Sequence, residues 1–384
     1  VMGSTFDEAK KVQILSDLVK INSVNGNEEE VATYVSKVFK EHGITTKIIP
    51  IEKGRVDLIA EIGSGKPVLG VSGHMDVVDP GDLSQWDTDP FELTEKNGNL
   101  YGRGATDMKA GLAAFMISMI DIKEQNLLPK GTIRLMATVG EEVGEKGSQT
   151  FYEKGEMDNV DALVIGEPSG YSLVYAHKGS MDIKLTSKGK ASHSSMPELG
   201  YNAIDPLLSA LNIANEKFRG AGKKNELLGD LTFNTTIFNG GNQVNSIPES
   251  AESEINVRTI PEFDNDEVVS TMQKIVDQKN NDGAKIDMDI YMSLESVQHD
   301  DNSKLINLAK KIGEKYSKDE IPKMAVAGVT DASNLLKDKP YEFPFIVFGP
   351  GEPTMPHQVN EYVNKQVYFN FIDIYEELFV EYMK

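Results

Sequence analysis

Hydrophobic positions along the chain follow two alternating periods. Helical spacing runs through Phe6 to Lys20 and returns at Val31, Val35, Val38 and Phe39, whereas Val68 to Ser72 and Thr132 to Val139 are short β-rich runs. Met108, Leu112, Phe115, Met116, Met119 and Ile120 form an apolar stripe, closed by Pro129 after Leu127 and Leu128. Strands alternating with helices predict an open α/β sheet covered by helices. From about Ser180 the order becomes strand (Met181 to Ser187), helix (Tyr201 to Phe218), strand (Leu231 to Phe238), strand (Ala251 to Arg258), helix (Asp264 to Gln278) and strand (Lys285 to Met292). That βαββαβ order is the ferredoxin-like arrangement. Helix Ser303 to Tyr316 and strand Phe345 to Phe348 then resume the α/β pattern. The spacing therefore predicts a discontinuous first domain, residues 1–178 and 294–384, around an insert at 179–293. No internal repeat or low-complexity segment interrupts it, and residues 220–224 read as a short flexible loop.

The length of 384 residues fits two cores rather than one. There is no apolar run of about 18 residues and no targeting sequence at the start, so a soluble, untargeted chain is expected. Val1-Met2-Gly3-Ser4 precedes the first helical pattern and is expected to lie outside the fold. With 60 acidic against 39 basic residues the net charge is -21, which repels phosphate backbones and argues against nucleic-acid binding. Cysteine is absent, which removes disulfides, thiolate ligands and a cysteine nucleophile and fits a reducing, cytoplasmic setting. Any metal must be held by His, Asp and Glu.

Four segments put such residues just beyond expected strands: Ser72-Gly73-His74-Met75-Asp76, Gly140-Glu141-Glu142, Gly166-Glu167-Pro168 and Gly349-Pro350-Gly351 running on to His357. In an open α/β sheet the carboxyl ends of the strands form the ligand crevice, so these groups are expected to converge. A fifth segment, Gly102-Arg103-Gly104-Ala105-Thr106-Asp107, opens the Met108 helix; Asp107 stands where a dinucleotide fingerprint needs its third glycine and would repel a pyrophosphate. Singly, each has an ordinary explanation. Asp107 fits a helix N-cap, Glu141 and Glu142 a solvated loop edge, Asp76 a turn, and His74 or His357 a hydrogen-bonded polar residue. Their joint placement at one end of one sheet is what argues for a site.

Two histidines and three carboxylates suit a pair of borderline divalent ions without sulfur. A carboxylate can bridge two ions about 3.5–4 Å apart, and Asp107 is the natural bridge. Neighbours on an extended chain point to opposite sides, so of Glu141 and Glu142 one is expected to ligate and the other to move protons. Asp76, two residues beyond His74, is placed to accept the second imidazole N–H and fix its tautomer.

At this point SGHMDVV (72–78), GRGATDMKAG (102–111), ATVGEEVGEKGS (137–148), IGEPS (165–169), GKASHSS (189–195) and FGPG with His357 resemble the M20 metallopeptidases and deacylases, in their desuccinylase and acetylornithine deacetylase group. The likeness runs from first helix to last strand. It implies a zinc-peptidase-like α/β/α catalytic domain, with the insert as a lid and dimerisation domain. It implies two Zn2+ per subunit, with Co2+ or Mn2+ as substitutes: His74 and Glu167 on one, Glu142 and His357 on the other, Asp107 between them. Glu141 would be general base and then acid, and Asp76 would orient His74. His193 would reach the neighbouring site of a homodimer to stabilise the oxyanion. Asn245 and Arg258 would hold the substrate carboxylate, Thr330 lies in a substrate-contacting turn, and Lys178 in His177-Lys178-Gly179-Ser180 would be the cationic anchor of the hinge. The expected substrate is a small acylated amino acid, first N-succinyl-LL-2,6-diaminopimelate of lysine biosynthesis, then acetylornithine, another acylamino acid or a dipeptide. A non-catalytic metal-binding protein is the remote alternative, and Glu141 argues against it, since a metal binder has no use for a second carboxylate beside a ligand.

Overall fold

The structure, a computed structural model, describes residues 3–384; Val1 and Met2, part of the segment expected outside the fold, lie outside the described residues. The rest of that segment corrects the expectation. The Ser4 hydroxyl donates to Asp121 at 2.6 Å, the Thr5 amide donates to the same carboxylate at 2.7 Å, and the Gly3 carbonyl accepts from Gln125. A buried aspartate needs donors, and these residues supply them.

In chain order the first elements are α1 (Glu8–Lys20), α2 (Glu28–Glu41), β1 (Thr46–Glu52), β2 (Arg55–Ser64), β3 (Val68–His74), β4 (Thr94–Lys96), β5 (Asn99–Tyr101), α3 (Ala110–Glu124), β6 (Gly131–Thr138), α4 (Lys146–Glu153), β7 (Ala162–Ile165) and β8 (Leu173–His177). Next come β9 (Ser180–Lys188), α5 (Ile204–Arg219), β10 (Lys224–Asn225), β11 (Gly229–Asp230), β12 (Thr232–Gly240), β13 (Ser250–Arg258), α6 (Asn265–Asn281), β14 (Ile286–Leu294) and β15 (Val297–Gln298). The chain ends with α7 (Lys304–Ser317), β16 (Lys323–Val326), α8 (Ala332–Leu335), β17 (Phe345–Val347), β18 (Tyr362–Asn364) and α9 (Lys365–Tyr382).

Two compact units result. One takes the chain through Tyr175, then His299–Met324 and Asn334–Lys384; the other comprises Ala176–Gln298 and Ala325–Ser333. The second unit thus extends past the expected 179–293, and Thr330 belongs to it: its hydroxyl lies 3.0 Å from His177 Nε2, and the Ser333 hydroxyl donates to the Glu295 carbonyl at 2.6 Å.

The first unit is built on a sheet running β1-β2-β6-β3-β7-β17-β8. Its centre, β6-β3-β7-β17, is parallel, and β2 and β8 flank it antiparallel. Every residue of β3 and β6 is buried, as strands covered on both faces require. Between β3 and β6 runs α3, buried without a break from Ala110 to Ile122, so the expected one-sided stripe is a helix enclosed all round. Its Phe115 stacks on Tyr375 of α9 at 4.6 Å between ring centroids. A side sheet, β18-β5-β4, has no counterpart in the expected elements.

The second unit carries the antiparallel sheet β12-β13-β9-β14, the ferredoxin-like order. Burial alternates along β9 and β13, leaving one face for Ile183, Leu185, Phe233 and Ile255 to pack with Leu207 and Leu211 of α5. Each such side chain contributes about 1.5–3 kcal/mol through burial. Phe218 stacks on Phe233 at 4.6 Å. Lys224, expected at the end of a loop, starts the β10–β11 hairpin. Among the described residues no helix is long and apolar enough to cross a membrane.

Candidate metal centre

The parallel strands end on one edge, and the chain runs from β3 to β6 on one side but from β7 to β8, beyond β17, on the other. Opposite departures open a crevice between β3 and β7. His74 ends β3; Glu141 and Glu142 follow β6, Glu167 follows β7, and His357 lies in the loop after β17. Register continues past the strand ends: the Met75 amide donates to the Thr138 carbonyl at 2.9 Å, and the Gly166 amide to the Ser72 carbonyl at 3.0 Å. Gly349 lets the β17 end approach β7, since a Cβ there would sit 2.3 and 2.5 Å from the carbonyl oxygens of Gly166 and Glu167.

The five expected ligands come together. His74 Nε2 lies 2.9 Å from Asp107 Oδ1 and 3.1 Å from Glu167 Oε1. His357 Nε2 lies 2.9 Å from Glu142 Oε2 and 3.5 Å from Asp107 Oδ2. The two oxygens of Asp107 therefore face two different histidines. Glu141 Oε2 is 3.6 Å from His74 Nε2, and no contact joins it to His357 among the described residues. Within this group His74, Asp107 and Glu142 form one set whose donor atoms lie within 4.8 Å of one another, and His74, Glu141 and Glu167 form another.

Electrostatics marks the group as short of positive charge. Four carboxylates face two imidazoles, so even two imidazolium ions leave a deficit. Burial raises Glu141 well above the ordinary carboxyl range, with Glu167 adding to it. Burial also raises Glu142 to about 7, helped by Asp107, and Glu167 to about 8. Asp107 goes the other way: burial opposes its charge, but hydrogen bonds with His357 and His74 hold it well below the usual range. Burial likewise opposes the His74 imidazolium and is outweighed by Glu167, Glu141 and Asp107, so its pKa is raised. His357, bonded first to Asp107 and then to Glu142, is raised to about 10. A buried donor set of imidazole and carboxylate with net negative charge fits divalent cations.

The backbone removes one ordinary explanation for this group and corrects two details. Asp107 is no N-cap: its backbone (φ -119°, ψ 93°) is non-helical, and α3 begins at Ala110. The Gly140–Glu145 segment is a turn rather than extended chain, closed by the Val143 and Glu145 amides donating to the Gly140 carbonyl. From that turn both carboxylates approach His74 Nε2, at 3.6 Å for Glu141 and 4.0 Å for Glu142, and Glu142 also meets His357. Asp76 supports His74 mainly through its backbone carbonyl, 2.9 Å from Nδ1, while its carboxylate, 3.4 Å from Nδ1, accepts the amides of Glu141 and Glu142 at 3.1 Å each.

The sequence reading missed several supports. Buried Glu28, paired to Arg55 at 2.6 Å, accepts the Gly140 amide at 3.0 Å. Lys109 is buried with Nζ donating to the Leu18 and Ile21 carbonyls at 2.7 and 3.0 Å, and burial lowers it to about 7. Glu361 and Arg103 form a buried pair at 2.8 Å. In sequence these look like solvated charges; only GRGATD hinted at Arg103.

His193, Lys178, Asn245, Arg258 and Thr330 all lie in the second unit. There the Ser194 amide donates to the Asn245 carbonyl at 2.9 Å, bringing His193 and Asn245 close. His193 Nδ1 accepts the Ser195 amide at 3.1 Å. Arg258 Nε donates to Asn256 at 3.0 Å, and Lys178 Nζ to the Asp230 carbonyl at 2.5 Å. Burial lowers the Lys178 pKa, and the nearby Arg258 charge lowers it further.

Residues 70–381 match the family described as Peptidase family M20/M25/M40. The chain belongs to that family. It is a metal-dependent hydrolase of amide bonds. A probable succinyl-diaminopimelate desuccinylase of Staphylococcus aureus is 43% identical, with 99% of both chains covered. Among solved structures, an M20 family metallo-carboxypeptidase from Sulfolobus solfataricus superimposes with TM-score 0.82 at 21% identity, over 98% of this chain and 100% of that one. A dinuclear metal-binding M20 peptidase from Bacillus subtilis gives 0.70 at 17% identity, over 98% of each. At those identities the two structures establish the M20 fold, an α/β unit with a ferredoxin-like insert.

Proposed function

We propose that this chain hydrolyses N-succinyl-LL-2,6-diaminopimelate to succinate and LL-2,6-diaminopimelate, using two zinc ions per subunit. The observation that carries the metal part is the division of Asp107, one oxygen toward His74 and the other toward His357. His74 and Glu167 would hold one ion, Glu142 and His357 the other, with Asp107 bridging; cobalt and manganese suit the same donors. When bound, such ions polarise an amide carbonyl and bring the pKa of water toward neutrality.

The proton work falls to Glu141, which faces the group without sharing the His357 contacts. It takes the proton of the attacking water and delivers it to the departing amine nitrogen. Asp76 keeps Glu141 and Glu142 in place through their amides. In a homodimer, His193 would reach the other subunit's site and donate from Nε2 to the developing oxyanion, its Nδ1 being occupied as an acceptor. Arg258, with Asn245 and Thr330, would hold the substrate's carboxylate by the planar fork of its guanidinium, and Lys178 would meet the succinyl carboxylate.

The succinyl choice is supported by the 43% identical S. aureus relative and its name. A second reading, deacetylation of acetylornithine or cleavage of a related acylamino acid or dipeptide, draws on Lys178: it supplies charge without a planar fork, and its Nζ already serves the Asp230 carbonyl. Steady-state hydrolysis of N-succinyl-LL-diaminopimelate beside N-acetylornithine, by zinc-loaded protein and by Glu141→Gln, separates them. A strong succinyl preference, lost in the variant by about 10²–10⁴, is expected. Equal rates on both donors would sink the succinyl reading, and hydrolysis of neither would turn the search to dipeptides and other acylamino acids.

A further inference from the structure

The turn that carries Asp107 is not helical, so the buried amides of Thr106 and Asp107 need acceptors from elsewhere. Both donate to a single oxygen, Glu361 Oε2, at 2.8 and 3.0 Å. The other oxygen, Oε1, accepts from Arg103 Nη1 at 2.8 Å, and that same nitrogen donates to the carbonyl of Gln358, the residue after His357, at 3.0 Å. Arg103 is itself fixed: Nη2 donates to the Asp79 carbonyl at 3.3 Å, and its guanidinium lies 5.1 Å from the Trp86 ring centroid. One buried ion pair, with side chains 2% and 1% exposed, therefore grips the backbone of Asp107 on one side and the neighbour of His357 on the other.

The two histidines differ in how much they need such a grip. His74 ends a fully buried strand paired on both sides, and Glu167 follows the next strand directly. His357 sits in a loop with φ of 67° and a side chain 54% exposed. The main sheet does not set its distance from Asp107; the β5–β18 pairing, extended by the Gly102 amide donating to the Glu361 carbonyl at 2.9 Å, brings the two segments side by side, and the ion pair fixes the turns beyond it.

We infer that the Arg103–Glu361 pair is a positioning bracket that sets the Asp107–His357 spacing, and through it the affinity of the ion assigned to Glu142, His357 and Asp107, leaving the His74–Glu167 position to the sheet. The inference rests on the two-ion reading above. Glu361 is a positioning residue: it touches the backbone of a ligand and none of the reacting groups.

The test is Glu361→Gln in the full chain, with Co2+ titrated into metal-free protein and followed by calorimetry, visible absorption and metal content after dialysis. Glutamine keeps the shape but supplies one acceptor oxygen where the carboxylate supplies two. The expected result is one ion held as in the wild type and the second weakened about 10- to 100-fold, the usual cost of losing a group that orients a ligand. Arg103→Lys, which lacks the second nitrogen that reaches the Asp79 carbonyl and the planar face over Trp86, shifts the same step by a smaller factor and carries the test should Glu361→Gln fail to fold. On a His357→Ala background Glu361→Gln should cost no further affinity. Wild-type constants for both ions in the variants, or equal weakening of both, overturn the bracket while leaving the two-ion reading intact. A wild type that takes up fewer than two ions overturns the two-ion reading itself, and the bracket with it.

Discussion

The Nδ1 of His74 lies closer to the backbone carbonyl of Asp76, at 2.9 Å, than to its carboxylate, at 3.4 Å. The imidazole is thus oriented largely by main chain, and the carboxylate is freed to hold two amides of the Glu141–Glu142 turn. Asp76→Asn keeps the carbonyl but turns a side-chain amide toward one of those N–H groups. We expect the variant to bind metal within about tenfold of the wild type and to lose about 10² in kcat/KM, because Glu141 is displaced while His74 is not. Cobalt titration beside steady-state kinetics checks this; a large loss of metal affinity with little loss of kcat/KM would return the carboxylate to the role of His74 support.

Without metal, stability should fall as pH rises. The Glu142 and Glu167 carboxyls sit at about 7 and about 8 against an ordinary value of 4.5. Above pH 4.5 the unfolded chain releases protons that the folded chain keeps, so stability is lost progressively up to those folded values. His357, raised to about 10, contributes stability that is full below 6.5 and also lost on the way up. Melting temperatures of chelator-treated protein should decline between pH 5.5 and 8.5, and zinc should flatten the slope. A metal-free protein whose melting temperature holds or rises over that range would contradict the charge deficit.

Gly349→Ala should damage both stability and the site. Its Cβ would meet two backbone carbonyl oxygens that cannot swing away, those of Gly166 and Glu167. The expected cost is about 1–3 kcal/mol in chemical denaturation, with weaker binding of the ion assigned to Glu167. An unchanged denaturation midpoint would show that β7 and β17 separate more readily than their pairing suggests.

Lys178→Met should discriminate between acyl groups. If Lys178 meets the succinyl carboxylate, KM for the succinyl substrate should rise about 10- to 100-fold, the size of one lost charge-assisted hydrogen bond. Hydrolysis of the acetyl substrate should change little. Parallel losses on both would assign the residue to the unit's internal support, through the Asp230 carbonyl.

Much of this protein was legible before any coordinates. Period-two and helical patterns located the insert's strands and helices to within a few residues because each buries one face, and one-faced burial writes itself into sequence. The gathering of His74, Asp107, Glu142, Glu167 and His357 was legible because open α/β sheets present their strand ends together, so four separate segments pointed to one place. What the pattern did not reveal was structure without a period: the enclosure of α3 on all sides, the side sheet of β4, β5 and β18, and the turn that carries Glu141 and Glu142. Glu361, Arg103 and Glu28 carry no local signal of their role, because nothing local distinguishes a buried ion pair from a solvated one. The partners of Glu361 stand 258, 255 and 254 residues away in the chain. Residue type and its place beyond the strand ends are written in the chain; what holds those side chains follows from tertiary structure, since burial and hydrogen-bond pairing across such separations exist only once the chain has folded.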